Sequence, residues 1–276
     1  MNRKTLCIGL SLWGCSMLDK QPKAWWLRLG SFVLGLMLSC HALGQTKPVW
    51  AGRFETPSAT VPAPWRMVTF PKLTPTAYRV VMWDGVMGME ARADASMSLM
   101  GRSIEVDLSQ TPVLCWRWRI DRLISKADMR QKSGDDYAAR VYVAFSLPAS
   151  SMSFATRAKL KLARTLYGDV VPDGAINYVW DKLPVGTWLP NAYTDRTQMK
   201  VQRSGAAQLG TWVTERVNVA QDALSVFGPL SVQDLRLNLL AVATDTDNTG
   251  ESAVAGFADL HFVAAAAPCE FPSTTP

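Results

Sequence analysis

Val113-Leu114-Cys115-Trp116-Arg117-Trp118-Arg119-Ile120 alternates without a break. Leu114, Trp116, Trp118 and Ile120 fall on one side of an extended chain, and Val113, Cys115, Arg117 and Arg119 on the other. A period of two belongs to a β-strand, whose successive side chains leave opposite faces of a sheet. Two tryptophans two residues apart require that one face be buried. The two arginines opposite are either solvated or line a cleft, and a solvated face is the commoner arrangement.

The chain around this strand repeats the pattern in short runs. Residues 137–147 place Tyr137, Ala139, Val141, Val143 and Phe145 on one face, with Arg140 and Tyr142 on the other. Residues 78–83 and 86–91 flank Asp84-Gly85, a two-residue hairpin signal. Further strands are expected at 65–70, 104–108, 176–180, 199–203, 211–219, 232–243 and 253–263. Residues 45–64 are rich in Pro, Thr and Ala and read as an extended lead-in, with Trp50 and Phe54 as anchors. One helix interrupts the series, over 154–167. Phe154, Ala155, Ala158, Leu162 and Leu166 form its apolar face, Arg157, Lys161 and Arg164 lie opposite, and Gly168 is placed to end it. Such a basic amphipathic helix can lie on an anionic membrane. The commoner arrangement packs its apolar face over one end of a sheet and leaves its charges in water. Many short strands with regular turn signals and a single helix predict an all-β, antiparallel β-sandwich of jelly-roll type, formed by residues 45–276 as one domain.

Polar residues concentrate where strands end. Residues 241–259 read AVATDTDNTGESAVAGFAD, with Asp245, Asp247, Asn248, Thr249, Gly250 and Glu251 between two apolar runs. Three carboxylates this close repel one another unless a cation, an arginine or backbone N–H groups sit among them. An EF-hand is excluded, because Gly256 stands where the bidentate Glu belongs and the flanks are strands rather than helices. Two readings remain. One is a looser calcium loop held by Asp245, Asp247 and Glu251. The other is a polar turn bonded to its own backbone, with Gly250 at positive φ. A second cluster, Ser133-Gly134-Asp135-Asp136, feeds the strand carrying Arg140, which suggests either an internal ion-pair network or a ligand clamp. A third comprises Asn191, Tyr193, Thr194, Asp195 and Arg196.

The 276 residues carry a formal charge of +6. Much of that lies in residues 1–44, where Arg3, Lys4, Lys20, Lys23 and Arg28 face only Asp19. The remainder is near neutral, so nothing argues for nucleic acid. Lys20, Lys23 and Arg28 precede an apolar run at 29–38 that is too short to span a bilayer, and Ala42-Leu43-Gly44 follows. This pattern predicts a signal peptide over 1–44, with Met17 as an alternative start, and a periplasmic or secreted chain without a stable membrane span. Cys40 raises a lipoprotein alternative, which Met37 at the −3 position disfavours. After cleavage Cys115 and Cys269 remain, either paired or with Cys115 a buried free thiol. His261 would be the one histidine left, which by itself cannot make a zinc site. No G-x-S-x-G, C-x-x-C or P-loop is present.

The segments WRW, SGDDYAARVYVAF, INYVWD, NAYTDR and TDTDNTGESAVAGFAD, in that order, resemble an uncharacterised family of secreted bacterial proteins, domain of unknown function 3047. The resemblance covers about residues 54–262. It implies a β-sandwich akin to carbohydrate-binding and galactose-binding-like modules. It also implies that Asp135, Asp136, Arg140, Trp180, Asp245, Asp247 and Asn248 are signature positions.

A sugar site stacks an apolar sugar face on Trp or Tyr and satisfies hydroxyls with Asp, Asn and Arg. Arg117, Asp135, Asp136, Arg140, Trp180, Tyr193, Asp245, Asp247 and Asn248 supply those types near expected strand ends. The expectation is therefore a non-catalytic binding protein for a carbohydrate or another envelope ligand, with calcium as its candidate cofactor. A carboxylate-dependent glycan-active enzyme and a purely structural envelope protein are the alternatives.

Overall fold

A computed structural model describes residues 46–167 and 171–272; the expected leader and Gly168 lie outside them. Along the chain run β1 (Val49–Gly52), β2 (Arg66–Thr69), β3 (Ala77–Trp83), β4 (Val86–Asp94) and β5 (Ser98–Val106). Next come β6 (Val113–Ile120), β7 (Tyr137–Ser146), helix α1 (Phe154–Tyr167), β8 (Gly174–Asp181), β9 (Trp188–Asn191) and β10 (Thr194–Ser204). The last elements are β11 (Val213–Asn218), helix α2 (Val219–Phe227), β12 (Arg236–Asp245) and β13 (Ser252–Val263).

These strands form the two sheets of a β-sandwich. One has the order β11-β6-β13-β4-β3, with β1 also paired to β13; the other runs β2-β5-β12-β7-β8-β10-β9. The long β13 borders β4 over Ser252–Phe257 and β1 over Leu260–Phe262. Pairing is antiparallel with one exception, β10 against β8. That parallel pair arises because the chain leaves β8, forms the edge strand β9, and then returns between the two. The sequence around β9 is rich in turn residues over 181–190 and carries no strand pattern.

The tryptophans of β6 decide the core, as the alternation requires. Trp116 and Trp118 are fully buried. Trp116 packs 5.8 Å from Tyr178, and Trp118 packs 5.7 Å from Trp180, both on β8 of the opposing sheet. These four rings bridge the two sheets, and aromatic rings in such tilted contacts add to the area they bury.

The other face of β6 is neither solvated nor a cleft wall. The C-terminal tail lies across it, with Ala267, Cys269 and Phe271 packed on Val113, Cys115 and Val263. Cys115 and Cys269 form a disulfide with a Cα–Cα separation of 5.8 Å. Arg117 pairs with Asp259 and donates to the Pro272 carbonyl at 3.1 Å. Arg119 stacks 3.7 Å over Trp83 and pairs with Asp84, in the β3–β4 hairpin turn.

The helix expected at 154–167 forms, and its start is set by the Ser153 hydroxyl accepting from the Thr156 N–H at 3.1 Å. Its orientation differs from expectation. Among its described side chains, Leu160, from the opposite side, is the one buried, while Phe154, Ala155, Ala158 and Leu162 stand in solvent. A second helix, α2, had not been expected in a chain read as having one. It is nine residues long, its N–H of Gln221 is capped by Asn218, and it buries Val219, Ala220, Ala223 and Phe227. The strand expected at 211–219 takes in its capping Asn218, and residues 220–231, with the closing Gly228, fall between the expected strands.

Candidate functional site

β7 and β12 lie side by side, and Asp245 stands opposite Tyr137. The register slips between Ala243 and Asp245. Such a slip re-aims the residues at a strand end. The slip places the loop after β12 against the turn before β7, although the two segments are more than a hundred residues apart.

The turn before β7 is tight. Gly134 packs on the backbone of Asp128, and a Cβ there would come within 2.6 Å of the Asp128 nitrogen. The turn delivers Asp135 and Asp136 to the sheet end, both buried. The Asp135 carboxylate accepts from the Tyr137 hydroxyl at 2.7 Å and from the Asn191 amide at 3.0 and 3.1 Å. The Asp136 carboxylate accepts the Thr249 N–H at 2.7 Å and the Asn248 N–H and side-chain amide at 3.2 Å each. Asp136 thereby organises the loop after β12, and Gly250 closes that loop at φ 68°.

Arg140 projects from the outer face of β7. Its Nε lies 3.3 Å from Asp245 Oδ1, with both side chains almost wholly buried. The contact is not aligned as a hydrogen bond, so Arg140 Nε and Asp245 Oδ1 both lack a partner, as does Asp247 Oδ1. Burial pushes the Asp245 carboxyl well above its usual range; Arg140 opposes the shift, while Asp136, Asp135 and Asp247 reinforce it. Asp247 and Asp135 are raised as well, each chiefly by burial. The Arg140 charge thus opposes the cost of burial at Asp245, Asp135 and Asp247 alike. Asp136, Asp245 and Asp247 each bring an oxygen to within 4.8 Å of the others. Asp245 Oδ1 and Asp247 Oδ1 have no donor, while both Asp136 oxygens also accept from the loop. Clustered carboxylate oxygens are the hard ligands that Ca²⁺ takes, so these three residues fit a divalent cation.

Only the rim of this cluster reaches water. Asp247, Asn248 and Asn191 are half-buried. Tyr193 is 57% exposed, and its hydroxyl donates to Asn248 Oδ1 at 3.1 Å. Lys132 Nζ lies 5.0 Å from the centre of the Tyr193 ring. The expected open cleft is absent at this point, since Asp135, Asp136, Arg140 and Asp245 are all covered. A cavity of about 10 Å³ adjoins Asp136 and Trp180. That is room for one water, not for a sugar ring between two carboxyls.

Seven of the expected residues therefore converge: Asp135, Asp136, Arg140, Tyr193, Asp245, Asp247 and Asn248. Three do not. Arg117 is bound under the C-terminal tail on the other sheet. Trp180 is core, its indole N–H donating to the Gly205 carbonyl at 3.0 Å, and it has no free face for stacking. Glu251 turns away from the acidic cluster and accepts from the backbone N–H groups of Ser125 and Lys126 at 3.1 and 2.7 Å. Its expected place beside Asp245 and Asp247 is taken by Asp136. Tyr137 and Thr249 had not been read as site residues. Tyr137 was assigned to the core face by alternation, whereas its hydroxyl serves Asp135.

The family model described as "Protein of unknown function (DUF3047)" matches residues 63–261. The chain belongs to the DUF3047 family. The match contains every residue of the acidic cluster and its rim. No curated protein matches this DUF3047 chain. Among solved structures it is similar to the family 11 carbohydrate-binding module of the cellulosomal cellulase Lic26A-Cel5E of Clostridium thermocellum. The identity is 10%, the TM-score 0.38, and the coverage 80% of this chain and 96% of that one. It is also similar to the xyloglucanase domain of NopAA, a type three effector from Sinorhizobium fredii. There the identity is 8%, the TM-score 0.33, and the coverage 74% of this chain and 100% of that one. Among the described residues, no helix is long and apolar enough to cross a membrane.

Proposed function

We propose that this DUF3047 protein is a non-catalytic binding protein that takes a carbohydrate or similarly hydroxylated envelope ligand at the rim formed by Tyr193, Asn191, Asp247 and Asn248. The observation that carries the proposal is Tyr193: a large exposed ring held in place through its own hydroxyl, directly beside amide and carboxylate groups. A ring fixed in this way offers a stacking face without losing rotamer freedom on binding, and its neighbours can bond sugar hydroxyls. The buried frame of Asp135, Asp136, Arg140 and Asp245 supports the rim. A divalent cation among Asp136, Asp245 and Asp247 offsets the surplus negative charge and tightens the loop that carries Asn248. The disulfide supports a periplasmic or secreted location, because such bonds persist in oxidising compartments.

The test is titration of neutral and acidic oligosaccharides by NMR, in Ca²⁺ and in EDTA, with wild type and Tyr193→Ala. Binding that weakens tenfold or more in Tyr193→Ala, by roughly the energy of a stacked ring, at unchanged melting temperature supports the reading. An absence of shifts with every sugar under both conditions overturns it.

A further inference from the structure

The helix α1 (Phe154–Tyr167) has its sides exchanged relative to what its sequence calls for. Phe154, Ala155, Ala158 and Leu162 share one face, and all four are exposed, Phe154 at 80% and Leu162 at 62%. Among the described side chains of the helix the buried one is Leu160, on the opposite side. Arg157, Lys159, Lys161 and Arg164 give the helix four positive charges, and it carries no acidic residue. Arg164 is committed to Asp173, at 2.9 Å, and to the Val171 carbonyl, at 3.0 Å. Among the described residues no carboxylate pairs with Arg157, Lys159 or Lys161. A groove of about 570 Å³ opens beside the helix, and Arg157, Lys161 and Arg164 contribute to its wall over a floor that includes Leu147 and Leu160.

We infer that α1 docks this protein on the surface of an anionic lipid bilayer. An interfacial helix needs an apolar face with large side chains, a flank of Lys and Arg, and too little overall hydrophobicity to span. The helix meets each requirement. Phe154 and Leu162 would enter the acyl boundary, and Arg157, Lys159 and Lys161 would meet lipid phosphates. A protein partner fits less well. Stable interfaces bury about 800 Å² on each side, and two large apolar side chains on one helix face fall well short of such a core. A bilayer needs no matching surface and adds the attraction of its charge for each cation near it. The inference is independent of the rim around Tyr193.

The experiment is co-sedimentation of the purified protein, its N-terminus defined by mass, with two kinds of vesicle. One is pure phosphatidylcholine; the other is equal parts phosphatidylcholine and phosphatidylglycerol. Three unpaired cations predict partitioning roughly a hundredfold stronger on the anionic vesicles, falling steeply with salt. Phe154→Ser with Leu162→Ser, and separately Lys159→Glu with Lys161→Glu, should each reduce binding at least tenfold. All four residues are exposed, so circular dichroism should confirm an unchanged fold. Because the variants share every other residue with the wild type, binding through the apolar run at 29–38, where that run is retained, affects all of them alike. Equal binding by wild type and both variants overturns the inference. So does an absence of vesicle binding, including the case in which wild type self-associates and the Phe154→Ser, Leu162→Ser variant does not, which would assign the face to a second copy of the chain.

Discussion

Arg140 is the residue on which the acidic cluster depends most. It lies against Asp245, the two side chains are buried together, and its charge also acts on Asp135 and Asp247. Removing one member of a buried pair strands the other, at a cost of about 3–5 kcal/mol. Arg140→Gln should lose stability on that scale in urea unfolding, whereas Arg79→Gln, on an exposed side chain, should change it by under about 1 kcal/mol. Asp247 has a different role. It is half-buried with an oxygen that lacks a donor, so Asp247→Asn should leave the fold intact and remove the response to Ca²⁺. In wild type, that response is a gain of about 2.7 kcal/mol at a hundred times the dissociation constant, read as a rise in melting temperature over EDTA. No rise with millimolar Ca²⁺ would leave Arg140 as the cluster's counter-charge and remove the cation from the proposal.

Among the elements, the C-terminal tail shows most clearly how one segment changes the reading of another. Cys115–Cys269 closes a separation of 154 residues. His261 adds a second tie. Its Nδ1 lies 2.6 Å from the Asp259 carbonyl, and its Nε2 accepts the Glu270 N–H at 2.9 Å. The neutral ring satisfies both contacts and the imidazolium cannot, since it has no acceptor. Burial holds the His261 pKa below its ordinary value. The folded protein then binds fewer protons here than the unfolded chain, so the stabilisation is complete above about pH 6.5 and is lost as the pH falls. The difference in melting temperature between wild type and His261→Gln should therefore shrink on acidification. Replacing both cysteines by alanine should cost about 2–5 kcal/mol and raise hydrogen exchange first in residues 264–272. Helix α1 gives the converse case. Its extent was legible from its periodicity, but the face it buries was not, because Leu160 rather than Phe154 is covered by the rest of the fold.

For the molecule as a whole, pH and the cation should be coupled. Asp135, Asp245 and Asp247 all have raised folded values, so the folded state holds protons more tightly than the unfolded one. Their contribution favours folding below about pH 4 and is lost as the pH climbs through the raised values. In EDTA the protein should lose stability across that rise relative to an Asp245→Asn, Asp247→Asn variant. Millimolar Ca²⁺ should restore it at neutral pH and do nothing at pH 4, where protons occupy the ligands. Thermal melts across pH with and without Ca²⁺ check this directly, and parallel curves in Ca²⁺ and EDTA would exclude a cation site.

The residues themselves determined the strand pattern, the hairpin at Asp84-Gly85, and the burial of Trp116 and Trp118. These follow from local periodicity and turn chemistry, which any short window contains. Two clusters of acids at strand ends were equally visible. That they meet was not, since the meeting depends on β7 pairing with β12 and on the register slip before Asp245, both long-range facts. The fates of Arg117 and Arg140 make the same point. Both stand on the outer face of a tryptophan- or valine-rich strand, and nothing in their windows separates them. The C-terminal tail, tied down at Cys269, covers the first, and the end of β12 brings the Asp245 carboxylate to the second. A side chain's charge and its side of the strand are written locally, but what faces it there is supplied by another part of the chain, and only packing brings the two together.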